Sequence, residues 1–272
     1  MATMNIGSES RDAAGDSNAT AWADRRAVHI YRKADGLFPA EIAVLDGLAP
    51  ELLGVRLLDI GVGTGRTTPH LAARCRDYVG VDYAAPMLAR AAERYPAAKL
   101  VLADARDLSC FEDASFGAVV FSYNGIDYVS HADRLRILAE VRRVLRQGGL
   151  FVFSTHNRDV AVPQASSLAN LHFSRNPARL AYNSYVYLSG IANARRSRGL
   201  ERREDAYALI NDPGLHFRLV TYYIARQAQA AQLVEAGFTP PRAYDLQGQA
   251  LPLDGPPTQD FMIHYVTRKA GQ

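Results

Sequence analysis

Short apolar stretches alternate with amphipathic stretches along the first half of the chain. The apolar stretches have the length and composition of buried strands and span 55–60, 78–82, 98–103, 117–123 and 150–155. Between them, apolar residues recur at helical spacing and predict helices over about 66–75, 85–95 and 131–146. Because strands alternate with helices, the pattern predicts a parallel sheet.

The segment after the fifth predicted strand interrupts this pattern. Residues 157–224 carry irregular helical stretches and, over 205–223, an alternation around the turn signal Asn211-Asp212-Pro213-Gly214. We interpret this segment as a cap built from helix and hairpin. A helix over about 226–236 and strands near 241–246 and 261–267 complete the pattern.

The predicted fold class is therefore α/β, with a mostly parallel, seven-stranded, doubly wound sheet, helices on both faces and the cap inserted after strand five. Residues 22–48 predict one or two helices ahead of the first strand, the second opening near Pro39. The predicted division of the chain is a flexible leader over 1–19, N-terminal helices and core over 20–156, the cap over 157–224 and the rest of the core sheet over 225–272.

Composition adds few constraints to this picture. The chain has 272 residues, of which 48% are hydrophobic and 22% charged, and this is ordinary for one globular α/β domain with an insertion. No apolar run approaches the roughly 20 residues that cross a bilayer, and the N-terminus lacks a signal-peptide pattern, so we expect a cytoplasmic protein without a membrane partner. Cys75 and Cys110 are too few for a disulfide framework or a zinc site, and we expect no metal.

The net charge of +3 is weak evidence about partners. One arginine cluster offers charge to a polyanion, and it consists of Arg195, Arg196, Arg198, Arg202 and Arg203. Because Glu201, Glu204 and Asp205 partly neutralise it, a solvated turn is the favoured interpretation. We therefore expect no nucleic-acid partner.

A glycine-rich turn follows the first strand. The segment Leu57-Leu58-Asp59-Ile60-Gly61-Val62-Gly63-Thr64-Gly65 runs from a strand into a helix, and glycines there let the backbone turn sharply and approach a ligand closely. The spacing Gly-x-Gly-x-Gly differs from the Gly-x-Gly-x-x-Gly of dinucleotide sites. It also lacks the lysine of a P-loop.

Acidic residues stand at the carboxyl ends of three consecutive predicted strands. Asp59 lies within the glycine motif, Asp82 ends the second strand and Asp104 ends the third. A carboxylate about 20 residues after the glycines suits the hydroxyls of a ribose, and Asp104 suits an adenine amino group. Each acid alone has a structural alternative as a strand-end or helix-capping residue. Together they predict one ligand-binding crevice.

The stretch from Leu57 to Asn157 resembles the class I, Rossmann-like S-adenosylmethionine-dependent methyltransferases of the small-molecule type. The resemblance implies that Gly61, Gly63 and Gly65 border the methionine part of the cofactor S-adenosyl-L-methionine, with Asp59 near its amine. It further implies that Asp82 holds the ribose and that Asp104 and Ala105 bind adenine. The implied cofactor residues also include Ser122 and Tyr123 at the methionine end and Met87 against adenine, with a core methionine as the alternative for Met87. Tyr31 of the N-terminal helix is a further candidate, near the cofactor carboxylate or over the active site.

Candidate catalytic residues follow the fourth and fifth predicted strands. Asn124 is predicted to orient a substrate donor, and Asp127 to hold a cationic amine or accept a proton, although turn and capping roles suit both. His156 is a candidate general base because an imidazole titrates near neutral pH, with a structural role as the alternative. Tyr223 belongs to a group of tyrosines over 182–223 that predicts an aromatic wall around a small methyl acceptor.

These observations favour methyl transfer to N or O of a metabolite or natural product. Two other functions remain open: a methyltransferase that modifies RNA or protein, and a non-catalytic S-adenosylmethionine-binding subunit. The first would use the arginine cluster as a docking patch. The second would normally lack candidate catalytic residues after strand four, yet this chain has Asn124, Asp127 and His156.

Overall fold

Parallel strands form the centre of the structure, a computed structural model that describes residues 13–31 and 35–271. Five of them alternate with helices in chain order, and they are β1 (Arg56–Ile60), β2 (Asp77–Asp82), β3 (Lys99–Leu102), β4 (Phe116–Phe121) and β5 (Leu145–Asn157). Their order in space is β3-β2-β1-β4-β5, and every pair is parallel. The alternation of apolar stretches predicted these strands.

Helices cover both faces of the sheet. In chain order they are α1 (Ala13–Trp22), α2 (Arg25–Tyr31), α3 (Pro39–Gly47), α4 (Ala49–Leu52), α5 (Thr68–Ala72), α6 (Ala85–Arg94), α7 (His131–Val144), α8 (Pro177–Ser197) and α9 (Arg226–Glu235). Because side chains alternate across a strand, the neighbours Leu57 and Leu58 of β1 enter different apolar clusters. Leu57 packs with α3 and α5, and Leu58 packs with α7 and α9. The predicted doubly wound class is confirmed.

The C-terminal strands extend the sheet beyond β5. They are β9 (Arg242–Tyr244), β10 (Ala250–Leu251) and β11 (Met262–Arg268), and β11 runs antiparallel to β5 and to β9. With the strands of the insertion, the sheet has eleven strands within the described residues instead of the seven predicted. The additional strands are two to five residues long. Two of them, β7 and β8, form the hairpin that the alternation over 205–223 predicted, whereas β6 and β10 have two residues each and no distinct pattern in the sequence.

The insertion contributes a hairpin that joins the main sheet. Its strands are β6 (Arg202–Arg203), β7 (Tyr207–Asn211) and β8 (Val220–Ile224). β4 pairs with β5 as far as Phe121 and Phe153, and β8 then pairs with β5 in parallel at Tyr223 and His156. The hairpin therefore continues the sheet past the carboxyl end of β4, directly beside the candidate site.

The N-terminal segment completes the description of the fold. The prediction of a flexible leader over 1–19 is wrong for 13–19, which lie in α1; Asn18 there is buried and bonds both backbone groups of Val220. Residues 1–12 lie outside the described residues. No helix in the described part of the chain is long and apolar enough to cross a membrane.

Candidate active site

A cavity of about 330 Å³ lies at the carboxyl ends of β1, β2 and β4, under α1 and α2. Ligands of open α/β sheets bind at this end of the strands, and this volume is typical of small-molecule sites. Most of the predicted cofactor residues line it, and they are Tyr31, Gly61, Gly63, Asp82, Met87, Asp104, Ala105, Ser122 and Tyr123. The strand-end positions converge on one cavity.

The glycine turn forms one wall of this cavity. Gly61, Gly63 and Gly65 have φ values of 69°, 54° and 87°. In this left-handed region the backbone of a residue with a Cβ atom is strained, whereas glycine adopts it readily. A Cβ on Gly61 would stand 2.8 Å from the ring of Phe121. At Gly63 nothing lies within 4 Å of such a Cβ, so the open side of this glycine leaves room for a ligand against the backbone.

Asp82 is buried where β2 ends, and it supports the same turn. Its Oδ2 accepts a hydrogen bond from the Gly63 N–H at 2.8 Å, and its Oδ1 accepts one from the Ala84 N–H at 2.7 Å. Burial raises the pKa of this carboxyl. Each carboxylate oxygen can accept more than one hydrogen bond, so both oxygens retain capacity for a pair of adjacent hydroxyls.

The residues predicted for the adenine end lie in the cavity wall, together with Arg106. Met87 and Ala105 are buried in the cavity wall. Asp104 also lines the cavity, but its carboxylate accepts hydrogen bonds from the guanidinium and backbone N–H of Arg106, with Nη2 at 2.7 Å from Oδ2. Arg106 also lines the cavity, and the sequence did not predict this, although Arg106 follows Asp104 by only two residues.

Asp59 does not line the cavity, so the expectation that it faces the cofactor amine does not match the structure. It is buried beneath the turn, and its Oδ2 accepts hydrogen bonds from Thr67 Oγ1 at 2.7 Å and from the Tyr78 hydroxyl at 2.8 Å. Burial raises its pKa to about 7. Asp59 holds strand β1 and the start of α5 in place.

The predicted methionine end holds a buried ion pair that the sequence analysis missed. Arg66, directly after the glycine turn, forms a bidentate pair with Glu41 of α3, with both N···O distances 2.7 Å. Ser122 accepts a hydrogen bond from Arg66 Nη2 at 2.8 Å and also bonds Glu41. The paired guanidinium keeps the pKa of Glu41 below its usual range although burial opposes this. The hydrophobic pattern of the sequence gives no sign that residues 41 and 66 lie side by side.

Aromatic rings enclose the same end. Tyr123, in a left-handed backbone conformation with φ 53°, stacks on Phe38 with ring centroids 5.5 Å apart. The guanidinium of Arg66 lies 5.2 Å from the centre of the Tyr123 ring. Tyr31 contacts Trp22 with ring centroids 5.2 Å apart, and burial raises the Tyr31 pKa. All four rings line the cavity at this end.

His156 and Asp127 form a hydrogen-bonded pair. Asp127 lies in a short 3₁₀ turn (Gly125–Asp127), and its Oδ2 is 2.7 Å from His156 Nδ1. Its Oδ1 accepts from Thr155 Oγ1 at 2.6 Å and from Arg134 at 2.5 Å, and both Asp127 and Arg134 are fully buried. Both oxygens of Asp127 are thus bonded to protein groups, and Asp127 does not line the cavity.

His156 lies beside the cavity, not in its wall. The Tyr128 ring, which does line the cavity, stands edge-on to the imidazole with ring centroids 6.1 Å apart. The Tyr223 ring lies 5.0 Å away on the neighbouring strand β8. Among the described residues, the Nε2 atom of His156 has no hydrogen-bond partner.

Asn124 is not placed as predicted. It is buried outside the cavity, in a left-handed conformation with φ 57°, and its backbone N–H donates to Ser154 Oγ at 2.9 Å. The turn role, which the sequence left open, fits this position. Gly65 likewise lies just outside the cavity wall, where a Cβ would stand 2.7 Å from the ring of Tyr95.

Three features of the cavity fit the predicted cofactor. The open side of Gly63, the spare acceptor capacity of Asp82 and the apolar wall at Met87 suit a nucleoside with a polar tail. A Rossmann-like sheet with this glycine turn and these strand-end acids defines the class I S-adenosylmethionine-dependent methyltransferases. Residues 57–149 match the family described as a methyltransferase domain, so this part of the chain is similar to that family.

Known proteins are similar to this chain over different lengths. The demethylmenaquinone methyltransferase of Beutenbergia cavernae is 40% identical over 116 residues, which cover 42% of this chain and 46% of that protein. The malonyl-[acyl-carrier protein] O-methyltransferase 1 of Coxiella burnetii is 30% identical over 60% of this chain and 56% of its own length. The chain thus spans about half the length of these curated relatives.

Solved structures are similar over nearly the whole chain. The 1,6-didemethyltoxoflavin-N1-methyltransferase of Burkholderia thailandensis, with bound 1,6-didemethyltoxoflavin and S-adenosylhomocysteine, has a TM-score of 0.60 at 15% identity and covers 99% of this chain and 94% of that one. At 15% identity, this similarity shows that the two proteins share a fold.

Proposed function

We propose that this protein transfers a methyl group from S-adenosylmethionine to a nitrogen or oxygen atom of a small molecule, with His156 as the general base. The observation that carries the proposal is the pairing of His156 Nδ1 with the buried Asp127 at 2.7 Å, beside the cavity. This pairing leaves Nε2 as the free acceptor on the imidazole.

The residues of the cavity would hold the cofactor along its length. Asp82 would accept hydrogen bonds from the ribose hydroxyls, and Asp104, Ala105 and Met87 would contact the adenine ring. Arg66 lines the cavity, and its Nε donor would bind the carboxylate of the methionine part, since its Nη donors already bind Glu41, Gly36 and Ser122. When bound, S-adenosylmethionine supplies a methyl group on a positively charged sulfur.

The protein's own contribution to the reaction would be positioning and proton removal. Asp127 holds the imidazole in one orientation through Nδ1 and the backbone N–H, the latter at 2.6 Å. His156 would then take the proton of the attacking group through Nε2. Tyr128 and Tyr31 would exclude water from the reacting atoms, since their rings line the cavity on that side.

A small methyl acceptor suits the volume of this site. α1 and the turn between β7 and β8 share one apolar cluster with the cavity residue Met87, in which Leu215, Leu219 and Ala21 are buried. The neighbour of known structure from Burkholderia thailandensis, of similar fold, binds a small heterocycle. An RNA or protein segment would need an open groove.

The test is an incubation of the full chain with methyl-labelled S-adenosylmethionine and a metabolite extract, followed by mass analysis. The proposal expects label in low-molecular-weight products, and it expects His156→Asn to reduce their formation by at least about 100-fold without changing S-adenosylhomocysteine affinity. Label in added RNA or protein, or no label despite tight cofactor binding, would contradict it.

A further inference from the structure

Helix α8 of the insertion is attached to the rest of the domain along one side only. Of its 21 residues, Gly190 and Ser197 are the ones that are buried. The Asn193 side chain donates a hydrogen bond to the His216 carbonyl at 3.0 Å, and a Cβ on Gly190 would stand 3.1 Å from the Phe217 ring. This side of α8 therefore rests on the turn between β7 and β8, and the other side is open to solvent.

The open side of α8 carries an apolar strip where a surface helix normally carries polar residues. Residues three and four apart share a face of a helix, and the exposed apolar residues of α8 recur at this spacing. They form the α8 strip, which consists of Ala178, Ala181, Tyr182, Tyr185, Leu188 and Ala192. The other exposed residues of the helix are Pro177, Arg179, Arg195 and Arg196. The open face thus combines apolar groups with positive charge.

The segment ahead of α8 exposes further large apolar side chains. Leu168 is 75% exposed and Phe173 is 83% exposed. The Tyr187 hydroxyl of α8 donates to the Ser166 carbonyl at 3.0 Å, and this bond holds the segment beside the helix. Large apolar side chains that are exposed close together generally mark an interaction site.

The same region is strongly basic. Between residues 160 and 200 the chain has no Asp or Glu, and its arginines there are Arg175, Arg179, Arg195, Arg196 and Arg198. Within the described part of the chain, none of these arginines forms an ion pair. Glu201, which the sequence suggested as a neutralising group, accepts a hydrogen bond from the Asn211 N–H instead. The positive charge beside the α8 strip is therefore uncompensated by the protein.

We propose that α8 and the segment ahead of it lie on the surface of an anionic lipid bilayer. Helices that rest in a membrane interface combine an apolar face with arginines, and tyrosine rings favour the boundary between hydrocarbon and water. Anionic headgroups attract arginine side chains near the surface. The expectation of no membrane partner considered only spanning segments and signal peptides, and a surface contact needs neither. The proposal does not depend on the identity of the methyl acceptor.

The charges argue against a second copy of the chain as the occupant of this face. If two α8 helices packed antiparallel about Tyr185, Arg195 of each copy would face Arg175 of the other, since both lie equally far from Tyr185 along the chain. In a parallel pair, each arginine would face its own copy. Because the chain has no acid between residues 160 and 200, either pairing brings like charges together without compensation.

An RNA would also attract these arginines, because its phosphates are negatively charged. It would use the tyrosines only for base stacking, and it has no hydrocarbon region that could cover Leu168 and Leu188. A lipid surface covers the apolar strip as well as the charges, so it accounts for more of the exposed face.

Vesicle sedimentation of the full chain, without cofactor or methyl acceptor, tests the proposal. We expect phosphatidylcholine vesicles with about 30% phosphatidylglycerol to bind the protein at least about tenfold more tightly than vesicles of phosphatidylcholine alone. Salt at about 0.5 M should weaken this binding roughly tenfold, because it screens the arginines. Equal binding to both vesicle types, or binding to neither, overturns the proposal. Binding of a single-stranded RNA instead of the vesicles also overturns it.

Two double variants separate the apolar and the charged contributions. Tyr185→Ser with Leu188→Ser removes exposed apolar groups from the α8 strip, and Arg195→Gln with Arg196→Gln removes two charges from the end of the same face. Each double variant should weaken binding to the anionic vesicles at least about fivefold. A vesicle affinity equal to that of the wild type in both variants overturns the proposal.

Matched controls make the same substitutions at exposed positions outside the insertion. They are Leu53→Ser with Leu102→Ser for the apolar groups, and Arg76→Gln with Arg242→Gln for the charges. Both controls should bind the anionic vesicles like the wild type, and an equal loss in controls and α8 variants overturns the proposal. Thermal melts of all four proteins should match the wild type, because every substituted side chain is exposed.

Discussion

Asp127 accepts two hydrogen bonds from one residue, His156: the backbone N–H at 2.6 Å and the ring Nδ1 at 2.7 Å. The double contact fixes both the main chain and the ring orientation of the candidate base. We expect Asp127→Asn to lower kcat by at least about 100-fold, because an amide no longer stabilises the imidazolium. Steady-state kinetics with the labelled acceptor, together with calorimetric titration of S-adenosylhomocysteine, measures this.

The control for that prediction is Asp113→Asn, which removes an exposed acid paired with Arg143. Its kcat should match the wild-type value. A tenfold rise in the dissociation constant of S-adenosylhomocysteine in Asp127→Asn, with kcat unchanged, would assign Asp127 to the cofactor site instead of to His156.

Asp82 is predicted to be the main ribose ligand. Asp82→Ala removes the acceptor for the ribose and also the hydrogen bonds from Gly63 and Ala84, so we expect S-adenosylhomocysteine affinity to fall at least about 30-fold. The control is Asp77→Asn, at the other end of β2, where Asp77 pairs with Arg56. This variant should bind S-adenosylhomocysteine with the affinity of the wild type. Unchanged affinity of Asp82→Ala in a calorimetric titration would contradict the assignment.

The sequence predicted the parts of the site that depend on strand ends. Asp82 and Asp104 reach one cavity because parallel strands all present their carboxyl ends at the same edge, and hydrophobic periodicity locates those ends. The pairing of Glu41 with Arg66 was not predictable in this way, since it depends on how α3 packs against the glycine turn.

Arg66 is expected to bind the carboxylate end of the cofactor, and this can be tested by ligand comparison. Arg66→Lys keeps the charge but loses the Nε donor and the bidentate pair with Glu41. We expect it to weaken S-adenosylhomocysteine about tenfold and to leave adenosine affinity unchanged, because adenosine lacks the amino acid part. A parallel loss of adenosine affinity would show that the substitution disturbs the whole cavity through Glu41.

His264 on β11 should make the fold sensitive to acid. It is 4% exposed, and neither ring nitrogen has a hydrogen-bond partner in the described structure. Burial lowers its pKa to about 4, with a smaller effect of the nearby Arg66 charge. The unfolded chain, with an ordinary histidine pKa near 6.5, therefore binds a proton that the folded chain excludes between about pH 6.5 and 4.

Folding stability should consequently fall as the pH is lowered through that window. We expect wild type to lose about 2 kcal/mol from this group between pH 7.5 and pH 5, because each pKa unit corresponds to about 1.4 kcal/mol. His264→Phe should not show this loss, whereas His172→Gln, at an exposed position, should retain it. Urea unfolding of the three proteins at both pH values measures the difference, and an equal pH dependence in wild type and His264→Phe would mean that His264 is not held neutral in the folded protein.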